Sequence, residues 1–90
     1  MPKKYPPLTP DEVIQILKAR KFTLDSTRGD HQQWEGFIRD RKRKVTVDTG
    51  EKDFDDEIIK SMINQSGLSR DEFYCSTDRT ARKINKRLKK

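Results

Sequence analysis

The apolar pattern of this chain changes period twice, and those two changes constrain the fold more than any single residue does. Val13, Ile14, Ile16 and Leu17 recur at helical spacing. From Phe22 the apolar residues alternate with polar ones: Phe22 and Leu24, then Trp34, Gly36 and Ile38, then Val45 and Val47. Helical spacing returns with Ile58, Ile59, Met62 and Ile63. A helix, three half-buried strands and a second helix therefore follow one another, an α+β chain in the order α-β-β-β-α. Only 30% of the 90 residues are apolar or aromatic and 40% are charged, so the core is small, two layers thick at most.

Local signals set the expected boundaries. Thr9-Pro10-Asp11-Glu12 opens the first helix with a cap, a proline at the first helical position and a capping box. Strands are predicted over 22–25, 31–39 and 44–48, joined by a turn at 26–30 and a hairpin connection at 40–43. The second helix spans 55–66, with Asp53, Asp55, Asp56 and Glu57 at its positive end and Gly67 as its stop. Ser69-Arg70-Asp71-Glu72 opens a short turn carrying Phe73 and Tyr74. The stretch 78–90 puts Ala81, Ile84 and Leu88 on one helical face and basic residues elsewhere. Residues 1–7, with Pro6-Pro7, read as an extended lead-in, 8–75 as a single domain and 76–90 as a basic C-terminal helix or tail.

Short connections make the three-stranded sheet antiparallel, and each helix has one apolar stripe, so both helices cover the same sheet face. Phe22, Leu24, Trp34, Ile38, Val45 and Val47 would pack under Val13, Leu17, Ile59 and Ile63. The other face is left open, with His31, Gln33, Glu35, Phe37, Lys44, Thr46 and Asp48 on it.

Charge is unevenly distributed. Lys and Arg total 21 against 15 Asp and Glu, a net +6, yet residues 1–75 carry fourteen of each sign. Residues 76–90 hold seven basic residues and one acid, Asp78. Segment 18–44 is basic, with nine cations to four acids, and segment 45–75 is acidic, with three to eight. Basic surfaces of this kind attract polyanions, RNA or DNA first among them; the plainer reading is a solubilising surface. Cys75 is the only cysteine, which excludes a disulfide within the chain and a Cys/His zinc site and points to a reducing compartment. The start, Met1-Pro2-Lys3-Lys4-Tyr5-Pro6-Pro7, is basic with no apolar run behind it, so no signal peptide and no membrane span is expected, and the location expected is cytoplasmic.

His31 is the only histidine, in Arg28-Gly29-Asp30-His31 where a turn enters a strand. Its imidazole is the one side chain whose ordinary titration range spans neutrality. RNA supplies its own nucleophile, the 2′-hydroxyl, so a single base beside cations suffices to cleave it without metal or other cofactor. His31 would be that base. Arg28, Gly29, Arg41, Lys42, Arg43 and Lys44 would hold the RNA, with the arginines and lysines neutralising charge on the phosphorus. No second histidine exists to protonate the leaving oxygen, which leaves a lysine, a tyrosine, water or His31 itself. Competing chemistries fit less well: Cys75 has no local histidine, the acidic cluster at 53–57 suits a helix N-terminus better than magnesium, and Trp34 suits the core better than base stacking. Two other readings use the same residues, a non-catalytic RNA-binding module and a DNA-binding accessory protein whose tail lies in a groove.

In sequence the chain resembles the HicA family of toxin–antitoxin systems. The resemblance rests on Leu8-Thr9-Pro10-Asp11-Glu12-Val13, Gly29-Asp30-His31 before an aromatic-bearing strand, Val45-Thr46-Val47, Lys52-Asp53-Phe54, and Ile58-Ile59-Lys60-Ser61-Met62-Ile63 leading to Ser66-Gly67-Leu68-Ser69-Arg70-Asp71-Glu72-Phe73. Together these cover about residues 8–74. The resemblance implies a double-stranded-RNA-binding-like fold, metal-independent mRNA cleavage that halts translation, and His31 as catalytic residue. It also implies a HicB-type antitoxin that covers the histidine in a hetero-oligomer and represses the operon. Two departures stand out. Asp30 replaces the Ser or Thr often found before the histidine, and Val47-Asp48-Thr49-Gly50 lacks the second histidine that many members carry after the third strand. The tail 76–90 lies outside the family pattern.

Overall fold

The structure is a computed structural model, and it describes residues 5–85. The elements run α1 (Pro10–Ala19), β1 (Thr23–Arg28), β2 (His31–Ile38), β3 (Arg41–Asp48), α2 (Asp56–Ser66), α3 (Arg70–Tyr74) and α4 (Asp78–Asn85). The strands form one antiparallel sheet in the order β1-β2-β3, as the periodicity predicts. The expected α+β architecture stands.

Helix ends are where local chemistry places them. Thr9 accepts from the Glu12 amide while Glu12 accepts from the Thr9 amide, and Ser69 and Glu72 repeat the reciprocal arrangement. The Ser69 amide and the Arg39 guanidinium hold the Glu72 carboxyl below its ordinary range. Asp55 caps α2 by accepting from the Ile58 amide, and Gly67 ends it in the left-handed conformation at φ 79°.

Strand boundaries differ from expectation, for two physical reasons. The connection expected at 40–43 is only two residues long: Arg39 and Asp40 take φ of 51° and 67°, the tight I′ form, and Arg41 to Arg43 are already in β3. The turn expected at 26–30 also shrinks, to Gly29-Asp30. A bulge at Asp25, between Leu24 and Ser26, lets β1 keep pairing as far as Arg28 opposite His31.

The core lies between one sheet face and the helices. Trp34, Val45 and Val47 pack with Val13, Ile16, Leu17, Ile59 and Phe73. Trp34 is a core residue, its indole N–H donating to Gln32 Oε1 at 3.1 Å. Phe22 precedes β1 and lies over Gly36, where a Cβ would sit 2.7 Å from the ring. Two residues expected inside are not. Leu24 shares the helix-side face with Trp34, but α1 and α2 pack on β3 and leave the β1 edge uncovered, so it is 46% exposed. Ile58, in the first turn of α2, is also exposed.

The C-terminal elements clamp both ends of the domain. Glu12, buried in α1, meets Arg79 at 3.2 Å and Lys83 at 3.6 Å, and Lys83 also donates to the Pro7 carbonyl. Thr80 is buried and donates to the Tyr74 carbonyl, and Ile84 packs on the core. Leu88, expected on the same face, lies outside the described residues. The Tyr74 hydroxyl donates to the Pro6 carbonyl at 2.7 Å. Burial pushes the Tyr74 phenol well above its ordinary value of 10.0. Its neutral form is therefore favoured by folding, and its contribution is complete below pH 10.0 and lost as pH rises above that. Tyr74→Phe should cost about 1 kcal/mol near neutral pH. In denaturant melts across pH, the variant should lose less stability than the wild type above pH 10.0.

Candidate active site on the open sheet face

The two turn-defined registers put three residues in one cross-strand row. Arg28 on β1 pairs with His31 on β2, and His31 pairs with Asp48 on β3. Partners in an antiparallel ladder project to the same face, so the side chains of Arg28, His31 and Asp48 leave the backbone on one face, with Cα atoms about 5 Å apart from strand to strand. They face away from the helices. The His31 side chain is 60% exposed and its Nε2 lies 3.6 Å from Asp48 Oδ2, a charge contact longer than a hydrogen bond.

The loops around the row are tied together. The Asp30 carbonyl accepts from both the Thr49 amide at 2.7 Å and the Thr49 hydroxyl at 3.0 Å. Asp48 Oδ1 accepts from the Gly50 amide at 3.0 Å, which fixes one carboxylate oxygen and leaves the other for His31. Gly29 takes φ of 60°, the glycine-first pattern of a two-residue hairpin turn, and a Cβ there would meet nothing within 4 Å. The backbone beside His31 and Arg28 is therefore open to a bulky anion.

The other expected RNA contacts are not neighbours of His31. Arg41 pairs with Ile38 and Lys42 with Phe37, at the opposite end of β2, roughly 20 Å away at about 3.3 Å per residue. Lys44 pairs with Glu35, roughly 13 Å from the row by the same spacing. Lys42 and Lys44 do share the histidine's face, but each has an acid, Glu35 at 2.7 Å and Asp25 at 3.3 Å. Arg43 points the other way: it pairs with Gly36 and its Nε is buried beside Gly67. Among the described residues Arg28 has no ion-pair partner.

Other basic and reactive groups have structural duties. Arg39 donates to the Gly67 carbonyl and pairs with Glu72, and Arg20 donates to Ser76 Oγ and the Glu72 carbonyl. In the tail, Arg79 and Lys83 hold Glu12. The tyrosines expected as possible proton donors are on the helix side, Tyr74 bonded to Pro6 and Tyr5 packed on the core beneath Lys60. Cys75 caps α3 and is exposed. Among the described residues no cluster of His, Cys, Asp or Glu is arranged to hold a metal ion.

Sequence reasoning missed Asp48 as the partner of His31. The signal was available in the hairpin: once Arg39-Asp40 is taken as the turn, counting back along both strands brings His31 opposite Asp48.

Fold and site together define a small α+β domain with an exposed imidazole on its open sheet face. The family described as HicA toxin of bacterial toxin–antitoxin matches residues 10–68, more than half of the chain, and the chain belongs to that family. It is thus a toxin of a toxin–antitoxin pair, with an antitoxin as its partner. No curated protein and no solved structure matches it. No helix among the described residues is long and apolar enough to cross a membrane.

Because the imidazole is exposed and has no packing role, His31→Ala should leave stability within about 0.5 kcal/mol of wild type. Thermal unfolding followed by circular dichroism checks this, and a lost or broadened transition would make the histidine structural.

Proposed function

We propose that this toxin is an endoribonuclease that cleaves mRNA without a metal ion and so halts translation, with His31 as general acid/base. The observation that carries the reading is the row itself: an exposed imidazole between an unpaired guanidinium and a carboxylate, beside a turn open to a phosphate. His31 takes the proton of the 2′-hydroxyl, the 2′-oxygen bonds to phosphorus, and the bond from phosphorus to the 5′-oxygen breaks. The departing oxygen takes a proton from the imidazolium or from water, so no proton is gained or lost overall. The products are a 2′,3′-cyclic phosphate and a 5′-hydroxyl. Arg28 neutralises the charge that grows on the phosphoryl oxygens.

Gly29 leaves the room that the phosphate needs. Lys44 and Lys42 would meet flanking phosphates of a strand lying along β2. Arg41 and Arg43, which pair with Ile38 and Gly36 on the helix-side face, drop out of this set. The partner in this reading is a HicB-type antitoxin that covers His31 in a hetero-oligomer, and the place of action is the cytoplasm, where mRNA is translated.

Incubation of the protein with RNA in EDTA, beside His31→Ala, tests the reading. Wild type should give cyclic-phosphate ends, and the variant should lose about 10²- to 10⁴-fold in rate, the ordinary worth of a general base. In cells the variant should no longer arrest growth yet should still bind the antitoxin. RNA binding without cleavage by both proteins would leave a non-catalytic RNA-binding module, and cleavage abolished by EDTA would end the metal-free mechanism.

A further inference from the structure

We infer that Asp48 is the positioning residue for His31: its carboxylate receives the Nε2–H of the imidazole, fixing the ring so that Nδ1 is the nitrogen presented to RNA. This rests on the reading of His31 as the base. An ionised carboxylate accepts hydrogen bonds and donates none, so the ring nitrogen that faces it carries the proton. That nitrogen is Nε2, 3.6 Å from Asp48 Oδ2. The other nitrogen is then bare and able to accept a proton, as a base requires.

The carboxylate is itself held. Asp48 Oδ1 accepts from the Gly50 amide, and the adjoining Thr49 is bound twice to the Asp30 carbonyl of the β1–β2 turn. Asp48 is also less exposed than the ring it faces, 33% against 60% for the side chains, so the more restrained group orients the freer one. The 3.6 Å contact is a loose pair that shortens with a small side-chain rotation, as catalytic hydrogen bonds do when substrate arrives. The relation is that of a base and its orienting carboxylate, with the carboxylate touching neither substrate nor reacting atoms. No second histidine is present to share the work of His31.

Nitrogen-15 NMR of the full chain decides the point, since one histidine gives one unambiguous set of ring signals. In wild type, neutral His31 should hold its proton on Nε2 to a greater extent than a free histidine peptide does. In Asp48→Ala the ratio should fall to the peptide value. The rate of RNA cleavage at saturation should fall at least roughly tenfold in Asp48→Asn, but by less than the 10²- to 10⁴-fold worth of the base itself. RNA affinity should not fall, since Asp48→Asn removes a negative charge, and Asp48→Glu should restore part of the rate. Asp48→Asn keeps an oxygen for the Gly50 amide, so it guards against a loop that collapses in the alanine variant.

A wild-type tautomer ratio equal to that of the free peptide overturns the inference, and so does an Asp48→Asn enzyme with full turnover. Failure of the ribonuclease reading shows separately, as absence of cleavage by wild type, and the tautomer ratio still decides whether Asp48 holds the ring.

Discussion

The two-residue turn at Arg39-Asp40 governs what the sheet can do. It fixes Ile38 opposite Arg41, and every later pair on the β2–β3 ladder follows from it, ending with His31 opposite Asp48. Side chains alternate faces along a strand, so sliding β3 by a single residue would bury Thr46 and expose Val45 and Val47. Those two valines are fully buried against the helices, and their burial holds the register as firmly as the turn does. Core packing on one face thus decides which charged groups meet on the other. The row at His31 is a consequence of packing some distance away from it.

The basic composition is less a nucleic-acid footprint than the totals suggest. Arg20 and Arg39 bind backbone carbonyls of Glu72 and Gly67, which ties the ends of α1 and β2 to the α2–α3 segment. Arg79 and Lys83 converge on a buried carboxylate, Glu12, which a core could not otherwise tolerate. Lys42 and Lys44 stand beside acids on their own face. A small core with few apolar residues uses its cations as internal clamps. That leaves Arg28 as an unengaged guanidinium beside the imidazole, which no count of basic residues distinguishes.

What could be read from the sequence was what depends on near neighbours. The caps at Thr9 and Ser69, the stop at Gly67 and the alternation that sends His31 outward and Trp34 inward all involve residues a few positions apart. The element order followed from them. The errors came from longer range or from uncommon backbone. Arg39 and Asp40 carry none of the glycine that usually marks an I′ turn, so local signals put the connection at 40–43 and leave the basic run outside the strand. The bulge at Asp25 has no local signature, and without it β1 stops short of Arg28. Leu24 and Ile58 have the right periodicity but lie where no neighbour covers them, which periodicity cannot register. Alternation alone puts Asp48 on the histidine's face but does not pair it with His31, because pairing needs the register and the register needs the turn.

Polarity across the row bears on how a phosphate would approach under the proposed function. The cation, Arg28, is on the outer strand β1, whose edge is uncovered; the carboxylate, Asp48, is on β3, the strand packed against α2. Asp30 adds a second negative group near Gly50 on that same side. A polyanion is attracted to the β1 side of the imidazole and repelled from the β3 side, at distances well within the screening length of physiological salt. If Asp48 holds Nε2, Nδ1 is the nitrogen left free to take a proton. The carboxylate that would hinder binding if it faced the substrate is then placed behind the base, where it orients the ring. A chain with one histidine can combine anion binding with a neighbouring carboxylate only if the two lie on opposite sides of the ring, and the β1-β2-β3 order places them there.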